Sequence, residues 1–312
     1  MTAMMLLKPQ TLFVAWVLAS AAFVHFRGRE RLKLGRQITD HSTIVAPYNA
    51  LVYLFSRTPG TPWLEPEHFP DVALLARSWE TIRDEAVALS EQGNIRGATG
   101  NNDLGFHTFF KRGWTRFYLT WYGHTLPSAA VHCPRTLEIL KGAPSIRAAM
   151  FTVLPPGGRL GRHRDPFAGS LRLHLGLVTP NSDRCWIAVD GQKRGWRDGE
   201  AMVFDETYVH EALNETDVNR IILLCDFERP LWGPMVFINR LMMRFVMGSA
   251  VTQNFEGEPV GALNHLFSWV YGIKAAGQSL KQKNRRLYYL LKNGVLAALA
   301  IGLIASIVLP TR

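Results

Sequence analysis

Cysteine is scarce in this chain of 312 residues, which has three. They are Cys133, Cys185 and Cys225, which are widely spaced and form no CxxC pair. The usual sequence signature of a structural zinc site or a dithiol redox centre is therefore missing. Buried thiols in a reducing compartment are expected instead. Acidic residues are also few, at 25 against 35 Lys and Arg. This surplus of positive charge suits an anionic membrane surface, nucleic acid or phosphorylated ligands, and the hydrophobic content of 47% excludes a disordered chain.

Formal charge is absent from residues 11–26, and a cluster of basic residues follows directly at 27–36. The pattern predicts a transmembrane helix in an N-terminal anchor, residues 1–30, with its basic flank in the cytoplasm and its N-terminus outside. A cleaved signal peptide is the alternative, because residues 19–21 (Ala-Ser-Ala) have the small-x-small form of a cleavage site. The dense basic cluster opposes export.

The C-terminal end mirrors this pattern. Residues 287–309 contain one charge, that of Lys292, and four basic residues lie just before them, at 281–286. We therefore expect a second anchor at 287–312, with both tips periplasmic and the central domain on the cytoplasmic side of a bacterial inner membrane. The alternative is a C-terminal helix packed into a soluble core.

Two further segments are apolar but shorter. Residues 231–250 place Arg240 and Arg244 four positions apart on one helical face, as in a basic amphipathic helix lying on a bilayer. Residues 43–55 form a second stretch, which is broken by Pro47. A helix packed against the core is the alternative for both segments.

The central part of the chain changes from helix to strand. Residues 72–89 predict an amphipathic helix within a basic juxtamembrane and helical region, 31–110, and an amphipathic region is expected at 231–286. Short strands separated by turns predict an all-β core at 111–230, a sandwich or barrel of the cupin-like jelly-roll type with flanking helices. The predicted strands are 148–154, 170–178, 185–189, the stretch around Trp196, 200–204, 209–213 and 220–227.

Two histidines and an aspartate are the candidate metal ligands. His163 and Asp165 follow a Gly-rich turn after a strand, and His210 precedes a later strand, so a rigid sheet could aim all three. Two imidazoles and one carboxylate on one side of the metal are the facial triad of non-haem Fe(II) oxygenases, which leaves the opposite positions open. Because a His-x-acid pair arises by chance about once in such a chain, the assignment depends on its context.

The strand predicted at 170–178 alternates strictly. Its leucines share one face, whereas Arg172 and His174 share the other, which indicates that this second face lines a polar cavity. Arg220 begins a later, otherwise apolar strand, where a guanidinium could hold a ligand carboxylate through two hydrogen bonds. The alternatives are a solvent-exposed charge for Arg220 and a structural histidine for His174.

Longer blocks of the sequence resemble a known family, the aspartyl/asparaginyl β-hydroxylases, and within it the bacterial lipid A 2-hydroxylases. The matching blocks are 149–157, 163–177, 196–207, His210 and 219–230, and the resemblance is strongest from about 117 to 230. It implies a double-stranded β-helix fold. It also implies a hydroxylase that uses Fe(II), with 2-oxoglutarate and O₂ as cosubstrates, and releases succinate and carbon dioxide.

The resemblance also implies roles for individual residues. His163, Asp165 and His210 would be the catalytic iron ligands, and Arg220 would bind the distal carboxylate of 2-oxoglutarate. Three residues match positions that line the cosubstrate site, namely Thr152, Arg172 and His174. The animal peptide-hydroxylating branch lacks a carboxylate two residues after the first histidine. The presence of Asp165 therefore favours a complete triad and weakens the case for a peptide substrate.

The substrate implied by the resemblance is a fatty acyl chain of lipid A, hydroxylated at C2. Another membrane lipid, such as an ornithine lipid, is the alternative, followed by a cytosolic peptidyl Asp/Asn hydroxylase and a non-enzymatic membrane scaffold. Nucleic acid is not an expected partner. Three arginines around the first candidate ligand would meet lipid phosphates or lie free in solvent, namely Arg159, Arg162 and Arg164.

Overall fold

The computed structural model describes residues 9–97 and 103–308, apart from the side chains of 296, 299–300 and 302–308. The strands within these ranges are β1 Trp63–Leu64, β2 Thr115–Trp121, β3 His124–Thr125, β4 Ile146–Leu154, β5 Arg159–His163, β6 Ser170–Val178, β7 Cys185–Val189, β8 Gln192–Gly195, β9 Ala201–Phe204, β10 His210–Asn214 and β11 Arg220–Glu228.

Helices precede and follow these strands. They are α1 Pro9–Phe26, α2 Leu34–Ile38, α3 His41–Ile44, α4 Ala46–Leu54, α5 Pro70–Arg77, α6 Trp79–Glu91, α7 His107–Phe110, α8 Pro127–His132, α9 Pro134–Lys141, α10 Met235–Met242, α11 Ala262–Lys283 and α12 Arg285–Val308. Short 3₁₀ turns lie at Pro66–His68 and Gly248–Ala250, and a π-helical turn at Met243–Met247 extends α10.

The strands form two antiparallel sheets. The larger sheet has the order β1-β9-β6-β11-β4-β2-β3, and the smaller one has the order β5-β10-β7-β8. Side chains from both sheets line one pocket, among them Thr152 of the larger sheet and Leu160 of the smaller. This arrangement is the predicted cupin-like double-stranded β-helix core with flanking helices.

The alternation predicted along β6 is present in the structure. Leu171, Leu173, Leu175 and Leu177 are fully buried in the main hydrophobic core, and α6 packs against this strand. Arg172 and His174 project from the opposite face into the pocket between the sheets. One strand thus contributes both to the apolar core and to a polar cavity.

Two details of the helical region differ from the sequence prediction. The helix expected at 72–89 is divided into α5 and α6 at Ser78, whose backbone N–H still donates to carbonyls of α5. The region 31–110 also supplies a strand, because β1 pairs with β9 and forms one edge of the larger sheet, with Trp63 opposite Phe204. A two-residue strand is too short for its pattern to be read from sequence.

Only one helix in the described part of the chain is long and apolar enough to cross a membrane, namely α1. The second predicted anchor begins within α12, which is helical through Val308. Many of its side chains and residues 309–312 lie outside the described residues. The C-terminal anchor therefore stays a prediction.

The segment predicted at 231–250 is mainly helical, with α10 followed by the π-helical turn. Phe237, Leu241 and Phe245 expose their side chains there, as an interfacial helix would. Arg240 was expected to face lipid headgroups. Its guanidinium instead donates to the Glu228 carboxylate at 2.9 Å.

Gly176 of β6 provides a test of the core packing. A Cβ atom at this position would lie 1.9 Å from the Arg197 carbonyl oxygen. Because that oxygen belongs to the backbone, the backbone would have to shift to relieve the clash. We expect Gly176→Ala to destabilise the protein by about 2 kcal/mol or more and to lower its thermal denaturation midpoint by at least about 5 °C. Gly60→Ala is the control, since nothing lies within 4 Å of its added Cβ. Equal midpoints for the two variants would contradict this account of the packing.

Candidate active site

Antiparallel pairing of β5 with β10 brings the two candidate histidine ligands together. His163 and His210 are register partners, and their ring centroids lie 4.1 Å apart. Asp165 lies just beyond β5, with its Oδ1 3.6 Å from Nε2 of His163. One ligand atom from each of these three residues falls within 4.8 Å of the others. The spacing is that of a facial triad.

Both imidazoles present Nε2 toward this point. Nδ1 of His163 lies 2.7 Å from the Gly161 carbonyl oxygen, and Nδ1 of His210 lies 3.0 Å from that of Tyr208. A carbonyl oxygen can only accept, so Nδ1 carries the proton and Nε2 keeps its lone pair. Burial lowers the pKa of His163, and it lowers that of His210 to about 3. Neutral imidazole is the form that binds a metal.

The third candidate ligand is ionised. Burial alone would raise the pKa of Asp165, but the positive charge of the Arg172 guanidinium is the largest opposing influence, and that pKa lies at about 2. Nη2 of Arg172 donates to Oδ2 of Asp165 at 3.0 Å. The backbone N–H of Asp165 donates to the Glu206 carbonyl oxygen at 3.0 Å, which fixes the loop. The carboxylate is thus charged and oriented before any metal binds.

Arg172 also contacts two other carboxyl groups. Its Nε lies 2.7 Å from Oδ1 of Asp226, and its Nη2 contacts the carboxyl group of Glu206. Burial raises the pKa of both of these groups, and the raised pKa of Glu206 favours a protonated carboxyl there. Arg172 lines the pocket as predicted, but its guanidinium is engaged by protein carboxylates.

Arg220 lines the same pocket from the start of β11. It is 2% exposed, so the alternative of a solvent-exposed charge is wrong. Its Nη2 lies 3.4 Å from the Thr152 hydroxyl, and its guanidinium carbon is 4.6 Å from the ring centroid of Trp196. His174 stands beside it, with Nδ1 3.4 Å from the Trp196 indole nitrogen.

Two buried polar atoms in this half of the pocket have no hydrogen-bond partner among the described residues, namely Nε of Arg220 and Nε2 of His174. Such atoms are costly to bury unless a ligand satisfies them. The enclosed cavity is only about 30 Å³, well below the usual range for ligand sites, so these side chains pack closely together. Their chemistry combines a donor set for a metal with a guanidinium for a carboxylate.

Sequence reasoning missed the apolar wall of the pocket. The Phe109 ring on α7 meets the His163 ring edge-on, with the centroids 4.9 Å apart. The other aromatic and aliphatic residues of this wall are Phe106, Trp114, Leu160, Phe204, Ala212 and Leu224. The aromatic-rich run at 106–114 was the one available signal, because it interrupts a polar stretch ahead of the first core strand.

The three arginines around the first ligand have different positions. Arg159 is exposed. Arg162 forms an ion pair with Glu30. Arg164 is 1% exposed and donates to backbone carbonyls at the end of α1, so the expectation that it meets lipid phosphates or solvent is wrong.

Comparisons with known proteins agree with this site. The sequence profile described as aspartyl/asparaginyl beta-hydroxylase matches residues 76–230. An ornithine lipid ester-linked acyl 2-hydroxylase from Rhizobium tropici is 39% identical over 208 residues, which are 66% of this chain and 74% of that protein. Human aspartate beta-hydroxylase domain-containing protein 2 is 29% identical over 65% of this chain and 54% of its own length.

A third relative, human aspartyl/asparaginyl beta-hydroxylase, is 27% identical over 55% of this chain and 23% of that protein. Among solved structures, a prolyl-4-hydroxylase from Pseudomonas putida matches with a TM-score of 0.34 and 18% identity, covering 49% of this chain and 88% of that one. A superposition this distant supports no conclusion about chemistry. The sequence matches suffice: the chain belongs to the aspartyl/asparaginyl β-hydroxylase family and is a hydroxylase.

Proposed function

We propose that the protein uses Fe(II) and 2-oxoglutarate to hydroxylate C2 of an acyl chain in a membrane lipid, and that this lipid is an ornithine lipid. The observation that carries the proposal is the triad of His163, Asp165 and His210 opposite a buried Arg220 in one small pocket. Two neutral imidazoles and a carboxylate suit Fe(II), and a guanidinium suits the carboxylate of a cosubstrate.

The exposed surface of α1 supports a substrate in the membrane. Large apolar side chains project from several sides of this helix, including Leu12, Phe13, Leu18 and Phe23. Water is a poor solvent for such a surface, and lipid is a good one. We propose that α1 is an anchor, with the catalytic domain in the cytoplasm. A second anchor at 287–312, with both termini in the periplasm, is part of this proposal.

The choice between lipids rests on the relatives. The bacterial relative with 39% identity is named for acyl hydroxylation of ornithine lipid, and this chain covers 74% of it. An ornithine lipid therefore replaces lipid A as the first candidate, and lipid A becomes the second. A peptide substrate has less support, because the human aspartyl/asparaginyl hydroxylase is only 27% identical.

The proposed roles of the residues follow from the geometry. Bound Fe(II) would supply the oxygen activation that couples decarboxylation of 2-oxoglutarate to hydroxylation. His163, Asp165 and His210 would hold the metal, and Arg220 with the Thr152 hydroxyl would bind the far carboxylate of the cosubstrate. Phe109 and its neighbours would exclude water and accept the acyl chain. Arg172 would keep Asp165 ionised and aimed at the metal.

Replacing a ligand tests the metal site. We expect His210→Ala to weaken binding of Mn(II), an oxygen-stable substitute for Fe(II), by more than about 100-fold, because changes behind the ligands alone typically cost 10- to 100-fold. Titration calorimetry of the detergent-solubilised full chain measures this affinity. His68→Ala, on the exposed surface, is the control. Unchanged Mn(II) affinity in a folded His210→Ala protein would show that His210 is not a metal ligand.

Arg220→Lys tests the cosubstrate contact. Burial lowers the pKa of Arg220 to about 10, and it would also lower the pKa of a lysine at this position. A lysine also cannot donate two parallel hydrogen bonds to one carboxylate. Loss of roughly 1.5 to 3 kcal/mol should raise KM for 2-oxoglutarate by about 10- to 150-fold and leave KM for the lipid nearly unchanged. Steady-state succinate formation measures both. Arg83→Lys, on the partly exposed side of α6, is the control, and equal rises in both constants would indicate a structural arginine.

Mass spectrometry of lipids tests the substrate. We expect a bacterial host that contains both ornithine lipid and lipid A to gain one oxygen atom at C2 of an ornithine-lipid acyl chain when it expresses this protein. The His210→Ala protein should give no such product. Oxygen added to lipid A instead, with unmodified ornithine lipid, would favour the second candidate. Neither product from folded, metal-loaded protein would reject both lipids in that host.

A further inference from the structure

The chain directly after α1 is held tightly against the catalytic core. The Arg27 guanidinium lies between two tyrosine rings, 4.1 Å from the centroid of Tyr53 and 3.9 Å from that of Tyr208. It also forms an ion pair with Asp205 at 2.7 Å and donates to the Thr207 hydroxyl at 2.6 Å. A flexible tether would not bury a charged side chain in this way.

The backbone of this segment is bound as well. The N–H groups of Arg29 and Glu30 donate to Oδ1 of Asp190 at 2.7 and 2.8 Å. Gly28 has a φ of +86°, and a Cβ on it would lie 2.7 Å from the same Asp190 oxygen. The carboxylate and the chain are therefore in direct contact, with room for glycine only.

Arg164 fastens the end of α1 itself. This residue lies between His163 and Asp165, and its guanidinium donates to the carbonyl oxygens of Val24 and, at 3.2 Å, of Arg27. The last carbonyls of a helix have no partner within it and form the negative end of its dipole. The buried Arg164 guanidinium donates hydrogen bonds to these carbonyls, and its positive charge balances the negative end of the dipole. Longer contacts, each 3.5 Å, reach the carbonyls of His25 and Glu30.

Apart from Tyr53 on α4, these attachments lie on segments that carry the candidate ligands or pair with them. Asp190 follows Val189, which is paired with His210, and its N–H donates to the Val209 carbonyl at 2.8 Å. The turn of Asp205 to Tyr208 leads directly into His210, and it also holds the backbone of Asp165. Arg164 separates the other two ligands. The end of α1 thus touches the support of every ligand.

We propose that Arg164 and Arg27 are positioning residues that fix the anchor helix to the loops of the metal ligands. The anchor then sets the distance between the metal and the bilayer, and it also orders the ligands. This inference rests on the proposed action on a membrane lipid. A helix of 18 residues spans about 27 Å at 1.5 Å per residue, close to the bilayer core. The ligand loops therefore lie at the lipid headgroups.

Arg164→Ala in the full chain tests the fastening without any lipid substrate. We expect amide hydrogen exchange to speed up in residues 163–168 and 205–210, and Mn(II) affinity to fall by about 10- to 100-fold. Arg164→Lys should restore part of both, because an ammonium can still donate to a helix terminus. Arg83→Ala is the control. Unchanged exchange and affinity in Arg164→Ala would overturn the proposal.

A second experiment tests the distance to the bilayer. A Gly-Ser-Gly-Ser insertion between Phe26 and Arg27 leaves every residue of the core in place but separates α1 from Arg164. We expect it to reduce hydroxylation of ornithine lipid in phosphatidylglycerol vesicles by about tenfold or more, with a smaller loss in detergent micelles, where the bilayer is absent. Equal losses in vesicles and micelles, or none, would overturn the distance claim. If wild-type protein leaves ornithine lipid unmodified, the lipid assignment fails, and the exchange and Mn(II) measurements still decide the fastening.

Discussion

The contacts of Arg172 with carboxyl groups are the interaction on which the candidate site depends. Three carboxyl groups from separate parts of the chain surround this one guanidinium, namely Asp165, Glu206 and Asp226. Three buried charges cannot all be balanced by one cation, and an unpaired buried charge is costly. The pKa directions resolve the conflict, because burial raises the pKa of Glu206 and Asp226 while that of Asp165 stays at about 2. Negative charge therefore concentrates on the residue that faces the two histidines. The same guanidinium connects β6 to β11 and to the loops after β5 and β9. The contacts that set the charge of the site therefore also hold the two sheets together.

Much of the catalytic core could be predicted because its signals are local. The leucine alternation along β6 identifies both faces of a strand within nine residues. The candidate ligands could be proposed from the sequence because two of them are separated by one residue and the third begins a strand. Arg220 was recognisable as a charge at the start of an apolar strand. In each case a short stretch of sequence contains the whole pattern, so no knowledge of distant contacts is needed.

The rest depends on contacts between distant parts of the chain. The predicted role of Arg164 failed because its partners are carbonyls of α1, far away in sequence and invisible in any composition. The carboxyl partners of Arg172 and the closeness of Phe109 to His163 are equally non-local. The break between α5 and α6 at Ser78 is not marked by a proline or a glycine in the sequence. Such features arise from the way elements pack, and a single sequence read along its length does not contain them.

The close fit of Gly28 against Asp190 and of Arg164 against the end of α1 bears on modularity. Many membrane-attached enzymes can be regarded as a catalytic unit plus an exchangeable tether. Here a cut after Phe26 would take away Val24 and His25, whose carbonyl oxygens Arg164 binds, and leave a cation that is now 1% exposed without its main partners. Grafting a foreign apolar helix onto residue 27 would replace the apolar surface of α1 but not the carbonyls at the required angle. Helix α1 and the catalytic core are therefore joined by buried polar contacts, and α1 is not an exchangeable module.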